Sequence, residues 1–152
     1  MACLTGNKGY PMSVPVKQAG VFAVRQGPEG WRVLVISNNS GKRWVIPKGI
    51  MDPGFTDRET AQKEAFEEAG IHGSLITPAL GKYRYRKWGR KCEVTVFLMD
   101  ISAVEEAWPE KNTRIRKWLA LEEMGATIDS RIPRKLLNEL KDKLKQAEGK
   151  NG

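Results

Sequence analysis

The chain has 152 residues, 40% hydrophobic and 29% charged, with 26 Lys and Arg against 18 Asp and Glu, for a net charge of +8. That length and balance suit one ordinary globular domain able to bury a core without staples. Two cysteines, Cys3 and Cys92, offer neither a disulfide framework nor a ligand cluster, so a reducing cytoplasm is the expected setting. No segment approaches the roughly 20 apolar residues that span a bilayer, so no membrane partner is expected. The positive balance attracts polyanions at range: nucleic acid, nucleotide polyphosphates, or phosphorylated sugars and cyclitols.

Residues 1–15, with Gly6, Gly9, Pro11 and Pro15, carry little periodicity and read as an irregular lead-in. One domain is expected over 16–148, followed by a short tail at 149–152. Lys17 to Val24 reads as a strand, Gly27 to Gly30 (GPEG) as a turn, and Trp31 to Ser37 as the hairpin partner. Asn38 to Lys42 is a second turn, and Arg43 to Ile46 a short strand ending at Pro47.

Gly49 to Ile71, GIMDPGFTDRETAQKEAFEEAGI, carries the chemistry. Pro53 and Gly54 keep the first part out of helix and permit a tight backbone path. Thr56 and Glu59 have the spacing of a capping box, and Gly70 stands where a left-handed terminator is wanted. In the helix between them Ala61, Ala65 and Ala69 form a small-residue stripe suited to packing on a sheet. At 100° per residue, Glu64 and Glu68 lie about 40° apart and Glu67 about 60° to the other side, so three carboxylates share one stripe. Their mutual repulsion weakens the helix unless a cation sits on it. Hard divalent ions such as Mg²⁺ or Mn²⁺ take such oxygen ligands, together with substrate phosphates and water.

This stretch resembles the Nudix box. Gly49 opens the pattern, and Glu64, Ala65, Glu67, Glu68, Gly70 and Ile71 close it at the family's spacings. Phe55 stands where the family has its first Glu, and Lys63 where it has Arg. In the family those two side chains commonly pair to brace the loop, so both departures concern the brace and leave the metal-ligand positions intact. The resemblance implies metal held by Glu64, Glu67 and Glu68 with the backbone at Gly49, and catalysis carried by the same three carboxylates.

His72, the one histidine, follows the box and reads as exposed. Ser74 to Gly81 is expected as strand and turn. Lys82 to Arg86 (KYRYR) alternates strictly, placing Tyr83 and Tyr85 on one face and Lys82, Arg84 and Arg86 on the other. Lys87 to Lys91 connects to a second strand, Glu93 to Ile101. This hairpin concentrates positive charge without an intervening acid. It reads either as an edge strand guarded by Lys and Arg or as a clamp for phosphates that the metal does not reach. Tyr83, Tyr85 and Trp88 serve equally as core or as stacking surface. Residues 102–113 make a loop, Arg114 to Leu121 a further strand, and Ser130 to about Ala147 an amphipathic helix whose Ile132, Leu136, Leu137, Leu140 and Leu144 share a face. The run from Trp108 through Trp118 to Glu123 is similar to the diphosphoinositol polyphosphate phosphohydrolase branch of the family.

The element order argues for α/β (α+β) architecture, a mixed sheet with helices on its faces. The resemblance sharpens this to the Nudix-type α/β/α sandwich. It implies metal-dependent hydrolysis of a diphosphate linkage, with Mg²⁺ or Mn²⁺ as cofactor and a polyanionic small molecule as substrate. Diphosphoinositol or diadenosine polyphosphates rank first, nucleoside di- and triphosphate derivatives second, and a nucleic-acid partner such as capped RNA third. A non-catalytic phosphate-binding module on the same fold is the rival reading. Candidate substrate cations are Arg43, Lys48, Lys82, Arg84, Arg86 and Arg90. Glu122 and Glu123 are candidate general bases by position.

Overall fold

The structure, a computed structural model, describes residues 14–151, the side chains of 149–151 excepted. The expected lead-in at 1–15 therefore lies almost wholly outside the described residues. Seven strands form one sheet: β1 (Val16–Gly27), β2 (Gly30–Ser37), β3 (Trp44–Val45), β4 (Lys48–Ile50), β5 (Ile71–Lys87), β6 (Arg90–Val104) and β7 (Arg116–Ala120). Helix α1 (Asp57–Ala69) follows β4. A 3₁₀ turn (Leu121–Glu123), a short α2 (Met124–Thr127) and α3 (Arg134–Asn151) close the chain.

The sheet runs β3-β2-β1-β6-β5, with β4 also paired to β1 and β7 to β2. It is mixed, since β1 and β6 pair in parallel while the remaining ladders are antiparallel. A continuous buried run from Gln18 to Val24 marks β1 as the central strand, covered on both faces. One core packs Ala19, Val21 and Met99 under the alanine stripe of α1. The other packs Phe22, Val24 and Val96 under Leu136, Leu140 and Leu144 of α3. Two apolar layers around one sheet make the expected α/β/α sandwich.

Several boundaries differ from the sequence reading: β4 is absent from it, β6 runs on through Val104 into the expected loop, and β7 begins at Arg116 and ends at Ala120. Ser74 to Gly81 contains no turn: β5 runs unbroken from Ile71 to Lys87 and absorbs the irregularity as register shifts against β6 after His72 and after Ile76. The last helix begins at Arg134, not Ser130, because Pro133 disfavours helical backbone at Ile132. It continues through Asn151, so backbone expected as a tail is helical. Asp129 to Ile132 are thereby left in a loop. Among the described residues no helix is long and apolar enough to cross a membrane.

Candidate active site

Both ends of α1 are fixed. Thr56 Oγ1 accepts from the Glu59 amide, and the Glu59 carboxylate accepts from the Thr56 amide, completing the capping box. Gly70 turns left-handed at φ 68° and ends the helix. The segment after β6 then satisfies the last carbonyls, which no helical amide can reach. The Glu110 amide donates to Glu67 O, Trp108 Nε1 to Glu68 O, Arg116 to Ala69 O and the Glu105 amide to Gly70 O. Arg116 lies 3.8 Å from the Trp108 ring centroid, so one cation stabilises both the ring and the negative end of the helix.

With the alanines facing the sheet at 0% exposure, the carboxylate stripe is turned along the edge of an open cleft of about 640 Å³. Glu64 and Glu68 are buried in its wall; Glu67 does not line it. Glu68 Oε1 accepts from the Lys48 amide at 3.0 Å and Oε2 from Arg114 at 3.1 Å. Arg114 is a three-way hub, since it also reaches Glu110 and the carbonyl of Ser37. The Glu68 carboxyl is pushed up to about 7 overall: burial raises it most, Arg114 and the Lys48 amide oppose the rise, and Glu64 and Glu110 add to it. Burial likewise raises Glu64, with Lys63 opposing and Glu67 and Glu110 adding to the rise.

The opposite wall is cationic. Arg43, Lys48, Lys87 and Arg131 line it, from the loop before β3, β4, the end of β5 and the loop before α3. Burial holds the Lys48 ammonium below its ordinary value; Glu68 partly restores it, while Lys87, Arg131 and Arg114 lower it further. Lys48 has no carboxylate partner among the described residues. Both Lys48 and Arg131 lie over the Tyr85 ring, 5.2 and 5.0 Å from its centroid, while the Tyr85 hydroxyl is held by Gln18. The cleft is thus bipolar, with crowded carboxylates at one end and crowded cations at the other. An anion bridging the two would relieve repulsion at the second, and a metal cation at the first.

Of the cations expected to meet substrate, Arg43 and Lys48 line the cleft, whereas Lys82, Arg84, Arg86 and Arg90 do not. Lys82 and Arg84 reach Glu93, Arg86 is exposed outside the cleft, and Arg90 is buried with its guanidinium donating to Val14 O. The reason for the first three is strand alternation: Tyr83, Tyr85 and Lys87 share one side of β5, and Lys82, Arg84 and Arg86, which alternate with them, take the other. Tyr83 and Tyr85 are core residues rather than a stacking surface. Glu122 and Glu123 sit on the 3₁₀ turn beyond β7, outside the cleft, and Glu123 accepts from the Ala120 amide. His72 stacks on Phe66 and approaches Glu105 at 3.2 Å, also outside it. Sequence reasoning missed Lys87, Arg114 and Arg131 as cleft residues. For Arg131 a signal existed, since Pro133 forbids an earlier helix start and leaves Asp129 to Arg131 free to turn inward.

The brace has been rebuilt. Lys63, in the place of the family's Arg, reaches Asp52 at 3.4 Å, Glu64 at 3.6 Å and Glu67 at 3.8 Å, and lies over the Phe55 ring. Asp52 supplies the acid that Phe55, 42% exposed, does not.

A divalent ion fits the acidic end by two observations. A β-carbon on Gly49 would lie 2.2 Å from the Glu64 carboxyl carbon, so glycine alone lets that carboxylate meet the backbone. The donor set is also of the right chemistry, two buried carboxylates that burial and repulsion from neighbouring carboxylates raise and that a hard cation would hold ionised. As the side chains stand, no three His, Cys, Asp or Glu converge to hold a metal among the described residues. Glu67 is turned to Lys63 and Glu68 to Arg114.

A mixed-sheet α/β/α domain whose glycine-led loop and carboxylate helix wall a bipolar cleft is the class that fold and site define. The chain belongs to the Nudix family: the NUDIX domain model matches residues 15–140. It is 36% identical over 100 residues to Nudix hydrolase 16, mitochondrial, of Arabidopsis thaliana, covering 60% of this chain and 55% of that protein. It is 30% identical over 119 residues to diphosphoinositol polyphosphate phosphohydrolase 3-beta of Bos taurus, covering 77% and 71%. The chain spans about half the length of the plant relatives it matches. Its fold superposes on a C. elegans Ap4A hydrolase binary complex with a TM-score of 0.76 at 23% identity, covering 86% of this chain and 98% of that one.

Proposed function

We propose that the chain is a metal-dependent hydrolase of a diphosphate linkage in a polyphosphorylated small molecule, with diphosphoinositol or diadenosine polyphosphates favoured over simpler nucleotides. The bipolar cleft carries this reading. Arg43, Lys48 and Lys87 offer more positive charge than one diphosphate needs, and Arg131 is aligned by Asp129 at 2.6 Å. A substrate with further phosphates would engage them while its anhydride lies toward Glu64 and Glu68. The names of the Bos taurus and C. elegans proteins point to the same substrate classes.

Mg²⁺ or Mn²⁺ bound at Glu64 and Glu68 beside Gly49 would supply charge neutralisation and an activated water. The chain's own residues do the rest. Lys48 and Arg131 orient phosphates as charge-assisted donors. Arg114 fixes the Glu68 carboxylate, and the Lys63 ammonium lies between Glu64 and Glu67 and offsets their repulsion.

Incubation with Mg²⁺ or Mn²⁺ and a panel of inositol pyrophosphates, dinucleoside polyphosphates, nucleotide sugars and nucleoside triphosphates tests the reading. Preferred turnover of the most highly phosphorylated members is expected. Preference for nucleoside triphosphates would move the substrate to the second class, and turnover of none would leave a phosphate-binding module.

A further inference from the structure

The cations of the β5–β6 hairpin that the cleft does not use form a surface of their own. Arg84 pairs with Glu93 across the ladder, and Lys17 of β1 pairs with Glu93 from the other side. Three cations, Lys17, Lys82 and Arg84, thus converge on one buried carboxylate, and all three heads stay exposed. Glu93 is held below its usual value by its hydrogen bonds from Lys17 and Arg84, so it remains charged and fixes the heads it touches. Two register steps on, past Tyr85 and Cys92 and so on the same face, exposed Arg86 stands directly opposite exposed Lys91, and among the described residues neither has an acid partner. Like charges facing across a ladder destabilise it. An edge guard does not require this arrangement, because Lys17 belongs to the central strand and not to the edge.

The hairpin tip carries a second, independent oddity. Its two-residue turn has positive φ at both positions, 53° at Trp88 and 71° at Gly89. Such turns favour Asn or Asp before Gly, and a large aromatic residue there is strained. Trp88 is nonetheless 65% exposed, with Lys87 over its ring at 4.4 Å. It contributes nothing to either core. A strained, solvent-facing indole at the tip of a hairpin whose Arg86 and Lys91 have no acid partner among the described residues is a combination that folding does not explain.

We propose that this surface, from Lys17 through Arg84, Arg86 and Lys91 to Trp88 at the hairpin tip, is a docking track for single-stranded nucleic acid whose cations lie outside the cleft. Along β5, Lys82, Arg84 and Arg86 recur about every 6.8 Å, a spacing that suits a string of backbone phosphates. Single-strand binding surfaces combine such a cationic track with an aromatic platform on which a base stacks. A flat, two-dimensional row with one aromatic end matches a linear polyanion better than an acidic peptide of irregular charge or a lipid surface.

Fluorescence anisotropy with a labelled RNA of about 20 nucleotides, longer than one binding site and bearing a 5′-hydroxyl so that it offers no anhydride, tests the track. The full chain should bind it at low salt. Arg86→Ala/Lys91→Ala, which removes a repulsive pair and keeps the fold, should weaken binding about tenfold or more and flatten the log–log salt slope by about 1.4, two lost phosphate contacts' worth. Trp88→Asn should weaken binding about tenfold while raising the melting temperature, because Asn accepts the turn's backbone. Lys48→Met, inside the cleft, should bind RNA as the parent does. Absence of binding at low salt, equal loss in Lys48→Met, parental binding in Arg86→Ala/Lys91→Ala, or binding to phosphatidylserine vesicles without binding to RNA would each overturn the proposal.

Discussion

Two sets of cations distinguish this molecule, and they are assembled in opposite ways. Those of the hairpin are neighbours in sequence, exposed, and arranged around one acid, Glu93. Those of the cleft come from separate stretches: Arg43, Lys87 and Arg131 are exposed as well, but they line one cleft with Lys48, whose ammonium is destabilised by burial and by its cationic neighbours. Water already solvates the first set. The second stores repulsion that a multiply charged anion would release, so density of charge along the chain is a poorer guide to a phosphate site than convergence at a buried point.

The most severe break should come from the acidic end. Glu68→Gln is expected to lower kcat by at least ~10²-fold, the scale on which removal of a key electrostatic group acts. Steady-state turnover of the best panel substrate measures it, and near-parental kcat would remove Glu68 from the reaction. Next comes the direct comparison of the two cationic sets. Lys48→Met should raise KM by about 10- to 100-fold, since a hydrogen bond to a charged group is worth ~1.5–3 kcal/mol, and Arg84→Ala should change it less than about twofold, as a screened surface charge does. Equal effects would merge the two regions into one site and undo the contrast.

A third prediction reads the acidic end without turnover. Mg²⁺ or Mn²⁺ at about 100 times its dissociation constant should stabilise the folded chain by ~2.7 kcal/mol, several degrees in melting temperature for a domain of this size. Glu64→Gln should abolish most of that shift. A shift of the same size in Glu64→Gln would place the ion elsewhere.

What the sequence made legible is local. The capping box of Thr56 and Glu59, the terminator Gly70, and the alanine stripe all lie within one loop and helix, where spacing and backbone geometry determine contacts. The KYRYR alternation was equally readable, and the burial of Tyr83 and Tyr85 between exposed Lys82, Arg84 and Arg86 follows its period. The cleft's far wall was not, because Arg114 and Arg131 sit in irregular segments whose position depends on β7 and α3 docking first. Nor was the partner of Lys63. Asp52 stands three residues before the expected acid, and only the folded loop brings it within 3.4 Å. Hairpin charge misled for a simple reason: strand alternation decides which side of a sheet a cation serves, and the cleft had already taken the Tyr83–Tyr85–Lys87 side.

The smallest effect is a pH dependence that separates the two regions by their acids. Burial alone would raise the Asp129 carboxyl, but hydrogen bonds from the Arg131 side chain and amide outweigh it and hold it below the ordinary carboxylate value. A carboxyl depressed by folding contributes stability above its unfolded value and loses it as pH falls through the folded one. Urea unfolding followed downward from about pH 5, above the unfolded Asp value, should therefore show an acid limb that Asp129→Asn partly flattens, by less than ~1 kcal/mol because Arg131 is partly exposed. The same substitution frees Arg131 from its place over Tyr85 and should raise KM two- to threefold, on the order of a weak surface pair. Glu93→Gln should flatten the acid limb as well, since Glu93 is also held low, yet leave KM unchanged. If both variants moved KM alike, Glu93 and its cations would belong to the cleft after all.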